Sequence, residues 1–392
     1  MSRYTFDPAS PVVMSPCESY EESTVQAALE AVLAPINGLG WVTEGMTVGI
    51  KANLVSAMKP EECATTHPAL LRALTLRLRE RGARVIIGDS PGGVYTAAFV
   101  NHVYHAAGLE TCETVGAELN RDLGTAEARF PEAWVLKSFS YTSWLDSCDA
   151  IIDFCKLKSH GMMGMSGAAK NLFGVIPGTM KPEYHFRFPD MSDFARMLVD
   201  IGDYFAEKVK LTLVDAVEGM EGNGPTKGTP RHVGVLLASA SPHTADVICA
   251  RLIGLSEDAV PTLQAARERG LLPERVTVIP TDPDKGVEDC AVEDFEHVAV
   301  RRGHLFTSKG KLVSKILEKL LDSRPKLRES ECVGCAKCAN ICPAKAIVME
   351  NKKAVINRDR CIRCFCCQEF CPTGAMKVYR TPIARMLVRS KK

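Results

Sequence analysis

Three consecutive stretches decide the fold: MTVGIKANLV (Met46–Val55), PALLRALTLRLRER (Pro68–Arg81) and ARVIIG (Ala83–Gly88). The first and third read as apolar strands and the middle one as an amphipathic helix, with Gly82 closing it. Together they form one βαβ unit, in which the crossover helix makes the two strands parallel. Working outward, Val94–Ala107 reads as a helix entered after Gly92 and Gly93. Strands follow at Ala150–Phe154, Leu211–Val214, Val233–Ala238 and Val276–Ile279, with helical patterns at Ser192–Lys208, Thr244–Ile253 and Thr262–Arg269. This alternation predicts an α/β body with a mostly parallel sheet covered on both faces. Such sheets bind ligands beyond the carboxyl ends of their strands.

Four stretches of this body carry more glycine, charge and histidine than packing requires. Lys51-Ala-Asn53 sets a cation and an amide on one face of a strand. Gly88-Asp89-Ser90-Pro91-Gly92-Gly93 is a strand-to-helix turn whose amides suit an anion, although it is neither a Walker A loop nor Gly-x-Gly-x-x-Gly. Lys156-Leu-Lys158-Ser-His160-Gly161 runs through Gly164 and Gly167 to Lys170-Asn171-Leu-Phe-Gly174 and Gly178, and reads as a loop held close to a ligand. Asp215-Ala-Val-Glu218-Gly219 continues through Gly224-Pro225 to Arg231 and turns repeatedly. Singly, a strand-end Asp or a lone His is more often structural than catalytic. Together they predict a site at one sheet edge for a carboxylate or phosphate, with Lys51, Asn53, Asp89, Ser90, Lys156, Lys158, Asn171, Asp215 and Glu218 binding substrate. For proton transfer His160 comes first, because a free imidazole titrates near neutrality, and Lys170 and His185 follow.

Of 16 Cys in the 392-residue chain, nine fall between Cys332 and Cys371, a bunching that speaks for metal and against a secreted disulfide framework. Cys332, Cys335, Cys338 and Cys342-Pro343 form Cys-x2-Cys-x2-Cys-x3-Cys-Pro, and Cys361, Cys364, Cys367 and Cys371-Pro372 repeat it. The pattern resembles the bacterial two-cluster ferredoxin module. It predicts two 4Fe-4S clusters in crossed pairing: Cys332, Cys335, Cys338 and Cys371 on one, Cys361, Cys364, Cys367 and Cys342 on the other. A zinc ribbon is the alternative, but the Cys-Pro endings have no role at a closed zinc site. Cys366 is out of phase and reads as a packing residue near a cluster. Of the other seven cysteines most read as core, and only Cys155 precedes a polar cluster. Ala346–Ile356 reads as a hairpin turning at Asn351–Lys353.

Polar residues Asp322–Glu331, behind an amphipathic basic stretch at Ser308–Leu321, suggest a division into a body, 1–325, and a small α+β ferredoxin-like domain, 326–392. From Cys332 onward 13 Lys and Arg, including Arg385, Arg389, Lys391 and Lys392, face 3 Asp and Glu, a formal +10 that leaves −9 on the first 331 residues. The small domain could therefore dock on its own body. A net charge of +1 gives no ground for a global affinity for polyanions or membranes. With no apolar run long enough to span a bilayer and no signal-peptide stretch, the expected location is the cytoplasm.

The body motifs Gly-Asp-Ser-Pro-Gly-Gly, Lys-Leu-Lys-Ser-His, Lys-Asn-Leu-Phe-Gly and Asp-Ala-Val-Glu-Gly-Met-Glu-Gly-Asn-Gly-Pro resemble the uncharacterised family called domain of unknown function 362, over roughly Val48–Gly254. Many of its members carry a ferredoxin module. Its usual pair of late aspartates is here Ser241 and Asp246, so the resemblance adds Asp246 alone to the substrate-binding candidates. The resemblance implies an architecture and a site but no substrate. Three functions fit: a reductase passing electrons from the clusters to an anionic small molecule in the cleft, an electron-transfer component of a larger complex, or a non-redox lyase or isomerase with structural clusters. The partners expected are a soluble low-potential electron donor or acceptor and the anionic substrate, with no nucleic acid and no membrane; a homodimer stays open.

Overall fold

The computed structural model describes residues 5–298 and 323–379; the stretch Ser308–Leu321 and the basic residues Arg385, Arg389, Lys391 and Lys392 lie outside them. A strand and a helix not read from the sequence come first, β1 (Val12–Pro16) and α1 (Glu22–Leu33). The βαβ unit follows as β2 (Thr47–Lys51), α2 (Pro68–Glu80) and β3 (Arg84–Gly88), with β2 and β3 parallel. Then come α3 (Ala97–Ala106), α4 (Glu110–Glu113), β4 (Ala117–Leu119) and a separate hairpin of β5 (Thr125–Arg129) and β6 (Ser138–Thr142). Next are β7 (Ala150–His160), β8 (Gly164–Ser166), α5 (Ala168–Asn171), α6 (Lys181–Arg187) and α7 (Met191–Phe205). The body closes with β9 (Val209–Glu221), β10 (Thr229–Ser239), α8 (Pro242–Leu252), α9 (Pro261–Glu268) and β11 (Val278–Pro280).

The main sheet runs β11-β1-β10-β9-β7-β2-β3-β4, with β8 folded back on β7. Pairings are parallel from β9 through β4 and between β1 and β11, and antiparallel where β10 meets β9 and β1. Side chains alternate between two cores. In β10, Val235 and Leu237 join α7, α8 and α9 on one face, whereas Leu236 and Ala238 join α1, α2 and α3 on the other.

β7 and β9 are longer than the sequence suggested. The apolar reading of β7 stops at Phe154, but β9 runs on beside it, pairing Cys155 with Val214 and Lys156 with Asp215. Lys156, Lys158 and His160 are therefore strand residues, and the reading of them as a loop is corrected. Only the glycines beyond them turn the chain, into β8 and α5.

The cysteine-rich end contains β12 (Arg324–Leu327), α10 (Lys337–Ile341), β13 (Ile347–Glu350), β14 (Lys353–Ile356), α11 (Cys366–Glu369) and β15 (Met376–Tyr379). β12 pairs with β15, and β13 with β14. This module is seated firmly on the body. Phe365 belongs to the body's core, and the buried Gln368 donates from Nε2 to the carbonyls of Asn223 at 2.9 Å and Gly224 at 3.2 Å. Thr226 Oγ1 donates to Glu369 O at 2.9 Å. At Gly92 any Cβ would stand 2.7 Å from Phe370 Cζ, so the glycine there admits the module's aromatic ring.

Candidate functional site

Where α11 meets the sheet edge there is a cleft of about 790 Å3, its open mouth included. The body contributes Asn53, Asp89, Lys158, Lys170, Asn171, Phe173, Lys181 and His185 to its walls, and the module contributes Cys366, Glu369 and Phe370. Parallel strands β2 and β3 end together here, at Lys51 and Gly88, beside β7, which runs on past Asp153 to His160, and this is why residues far apart in sequence converge.

The cations are held in different ways. Lys51, buried behind the lining, is 2.7 Å from Asp89 Oδ1 and donates to Ala52 O at 2.8 Å. Asp89 also accepts from the backbone of Leu54 and Ser90, so it is fully engaged. Asn171 Nδ2 ties this pair to β7 through Asp153 Oδ1 at 2.7 Å. Burial pushes the Asp153 carboxyl up to about 8. Lys158 Nζ donates to Ala64 O at 2.6 Å, and burial lowers it to about 7. Lys181 donates to the carbonyl of Ser90, and burial lowers it to about 8. Lys170 and Lys181 both stand over the Phe173 ring, 5.6 and 5.9 Å from its centre. Among the described residues Lys170 has no hydrogen-bond or ion-pair partner, and burial lowers its pKa.

His160 does not line the cleft. Its Nδ1 accepts from the backbone of Met162 at 3.1 Å and Met163 at 3.2 Å, and Nε2 lies 3.2 Å from Glu369 Oε1. Burial lowers it to about 4, so it is a neutral Nε2–H imidazole behind Glu369 and out of reach of a bound molecule. Burial alone would raise Glu369, but His160, Lys170 and His185 hold it down at about 2. His185 does line the cleft, stacked on Phe194 at 4.4 Å; burial lowers it to about 3, and its Nδ1 has no partner among the described residues.

Four candidates lie elsewhere. Lys156 and Asp215, neighbours across β7 and β9, form a buried pair 3.0 Å apart, completed by the Tyr20 hydroxyl at 2.6 Å from Lys156 Nζ and by the His67 amide. They satisfy each other in the core. Glu218 turns to the surface, 2.7 Å from His232 Nδ1. Asp246 caps α5, accepting from Ala168 N at 2.6 Å and Ala169 N at 3.1 Å, and so aims Lys170 and Asn171. Cys155 is buried in the core. Lys181, Phe173, Glu369, Phe370 and Cys366 were not singled out as cleft residues. Lys181-Pro182 after Gly178 is a helix-start signal that could have flagged the lysine, but nothing in the cysteine run says that α11 closes a distant cleft.

In the module, Cys332, Cys335, Cys338 and Cys371 line one cavity of about 330 Å3, and Cys342, Cys361, Cys364 and Cys367 line another of about 320 Å3. Among the described residues no three ligating side chains converge as they would on a single ion. Four soft thiol donors surrounding a volume suit an iron-sulfur cluster. Cys366 lines neither cavity.

An α/β body closed by such a module defines an iron-sulfur protein. The chain belongs to the family described as Domain of unknown function (DUF362), whose model matches residues 48–251. Two models described as 4Fe-4S dicluster domain match residues 324–372 and 281–346. The thylakoid-associated protein sll1697 of Synechocystis sp. is 30% identical over 259 residues, 65% of this chain and 78% of that protein. Among solved structures, the lactate racemase apoprotein from Thermoanaerobacterium thermosaccharolyticum aligns at 12% identity and a TM-score of 0.38 over 62% of this chain, which spans 57% of that one. No helix among the described residues is long and apolar enough to cross a membrane.

Proposed function

We propose that the protein is a ferredoxin-coupled reductase acting on an anionic small molecule, with a body ending just before β12 and a two-cluster module after it. The observation that carries this reading is the shared wall: Cys366 lines the same cleft as Lys158, Lys170 and Lys181, while its neighbours Cys364 and Cys367 line a thiol cavity. Cys332, Cys335, Cys338 and Cys371 would hold one 4Fe-4S cluster and Cys342, Cys361, Cys364 and Cys367 the other; clusters bound there supply electrons singly. Lys158, Lys170 and Lys181 bind the anion, and Lys170, with no hydrogen-bond or ion-pair partner among the described residues, is the group to meet it and to hold or pass a proton. His160 and Asp246 act at one remove, one setting Glu369 and the other α5. A soluble low-potential carrier is the partner, met at the outer end of the module, and the cytoplasm suits sixteen cysteines none of which is in a disulfide.

The test begins with anaerobic purification and mass analysis of whatever anion the cleft retains. The reduced chain should be reoxidised by that compound. Lys170→Gln should block reoxidation while leaving iron content and reduction by dithionite intact. Reoxidation of Lys170→Gln at the wild-type rate overturns the cleft as the site of electron delivery.

A further inference from the structure

We propose that the anion taken by the cleft is a keto acid and that the amine of Lys158 condenses with its carbonyl carbon, while Lys170 and Lys181 hold its carboxylate. The proposal rests on the anion-binding reading of the cleft above and not on electron delivery.

The register of the sheet carries it. Lys156 and Lys158 stand two apart on one face of β7, but β9 sets Asp215 beside the first and Met220 beside the second. Lys156 thus has a carboxylate at 3.0 Å, whereas Lys158, 1% exposed, has among the described residues only the Ala64 carbonyl, at 2.6 Å. Ala64 belongs with Met58, Cys63 and Met220 to a small apolar cluster, and on its other side Lys158 meets Ser166 of β8. None of these neighbours offsets an ammonium charge. The two carboxylates that line the cleft are engaged elsewhere, Asp89 with Lys51 and Glu369 beside His160.

A buried lysine in apolar surroundings, with other cations near it, gives up its proton readily and becomes a nucleophile. Burial, with Lys170 adding to it, lowers Lys158 to about 7. Lys170 and Lys181, both over the Phe173 ring, are the remaining cations of the lining. His185, 4% exposed, lines the same cleft with Nδ1 unpartnered among the described residues, which leaves a polar atom for the reacting molecule. A carboxylate alone offers an amine no electrophile; a carbonyl beside it does. In the step the nitrogen bonds the carbonyl carbon, both amine hydrogens leave with the carbonyl oxygen as water, and the imine takes up one proton. No oxidation state changes, and addition of water reverses the step.

The experiment incubates the full chain, purified without oxygen, with cyanoborohydride and in turn α-ketobutyrate, α-ketoglutarate or phenylpyruvate at pH 7, and maps the reduced adduct by mass spectrometry of peptides. The expected result is one adduct per chain, on Lys158, formed on the order of tenfold or more faster than on exposed lysines, of which less than about one part in a thousand is amine at that pH. α-Hydroxyglutarate, which lacks the carbonyl, should give none, and neutral butanone should label about tenfold less or weaker still. Lys158→Arg should give no adduct at unchanged iron content, and the wild-type peptide map decides the matter if that variant does not fold. Calorimetric binding of the keto acids without an adduct, or an adduct on Lys170 in place of Lys158, overturns the proposal and leaves the anion site standing. Labelling of Lys158 by butanone as fast as by the acids overturns the anion-binding reading itself.

Discussion

The two cysteine runs wrap their thiols with matching backbones and then meet entirely different surroundings. Gly334 and Arg363, Ala336 and Phe365, and Lys345 and Gly374 occupy equivalent places, and all have positive φ, between 49° and 71°. Non-glycine residues take that costly conformation in both runs, so folding four thiols around a cavity dictates the backbone whatever the side chain. Outside the wrap the likeness ends. In the first run Val333 is 68% exposed, and Cys335, Lys337 and Asn340 also face solvent. In the second, Phe365, Cys366 and Gln368 are buried against the body. The same local fold thus serves twice, once as an open end and once as the wall of a cleft.

The sharpest test of the shared half of that comparison is the crossed pairing. Cys371→Ala should remove about four of about eight irons and abolish the signal of the run from Cys332 to Cys338, although Cys371 stands in the other run. Iron analysis with EPR checks this, and loss of the nearer signal would refute the pairing.

The unshared half is tested in the cleft. Lys170→Gln should weaken anion binding roughly tenfold to a hundredfold, the effect of losing a charge-assisted hydrogen bond worth about 1.5–3 kcal/mol, whereas Lys337→Gln on the open end should change nothing. Calorimetric titration with the anion recovered from the protein measures both. Next in size is the seat of α11. Gln368→Ala leaves the carbonyls of Asn223 and Gly224 without their donor and should cost about 1–3 kcal/mol of stability, against about 0.5 kcal/mol or less for Asn340→Ala, an exposed polar residue of the first run. Chemical denaturation under argon would distinguish them, and equal costs would mean that the module is not seated as described.

The smallest expected effect is on pH. Lys158, lowered to about 7, and Lys181, lowered to about 8, bind an anion only when protonated. Affinity should be highest below pH 7 and fall severalfold as the pH rises through 7 to 8, since each lysine in turn loses its charge. A flat profile across that window would remove both from the anion site.

Much of this was legible in the chain. The βαβ unit from Met46 to Gly88 set a parallel sheet because helix and strand periods are local properties. The spacing of eight cysteines implied two wraps, because residues two or three apart must share one turn of chain. The extent of β7 was not legible: Lys156, Lys158 and His160 break the apolar pattern and are strand only because β9 lies alongside. Nor was the sorting of charges. Lys156 and Lys158 sit two apart on one strand face, yet one is spent on Asp215 across the sheet and the other reaches the cleft. The largest thing the tertiary structure alone decided is that α11, from the far end of the chain, closes that cleft and places Cys366 and Glu369 in it. Such a contact depends on shape complementarity between distant surfaces, Phe370 over Gly92 and Gln368 on the carbonyls of Asn223 and Gly224, which no periodicity within either segment records.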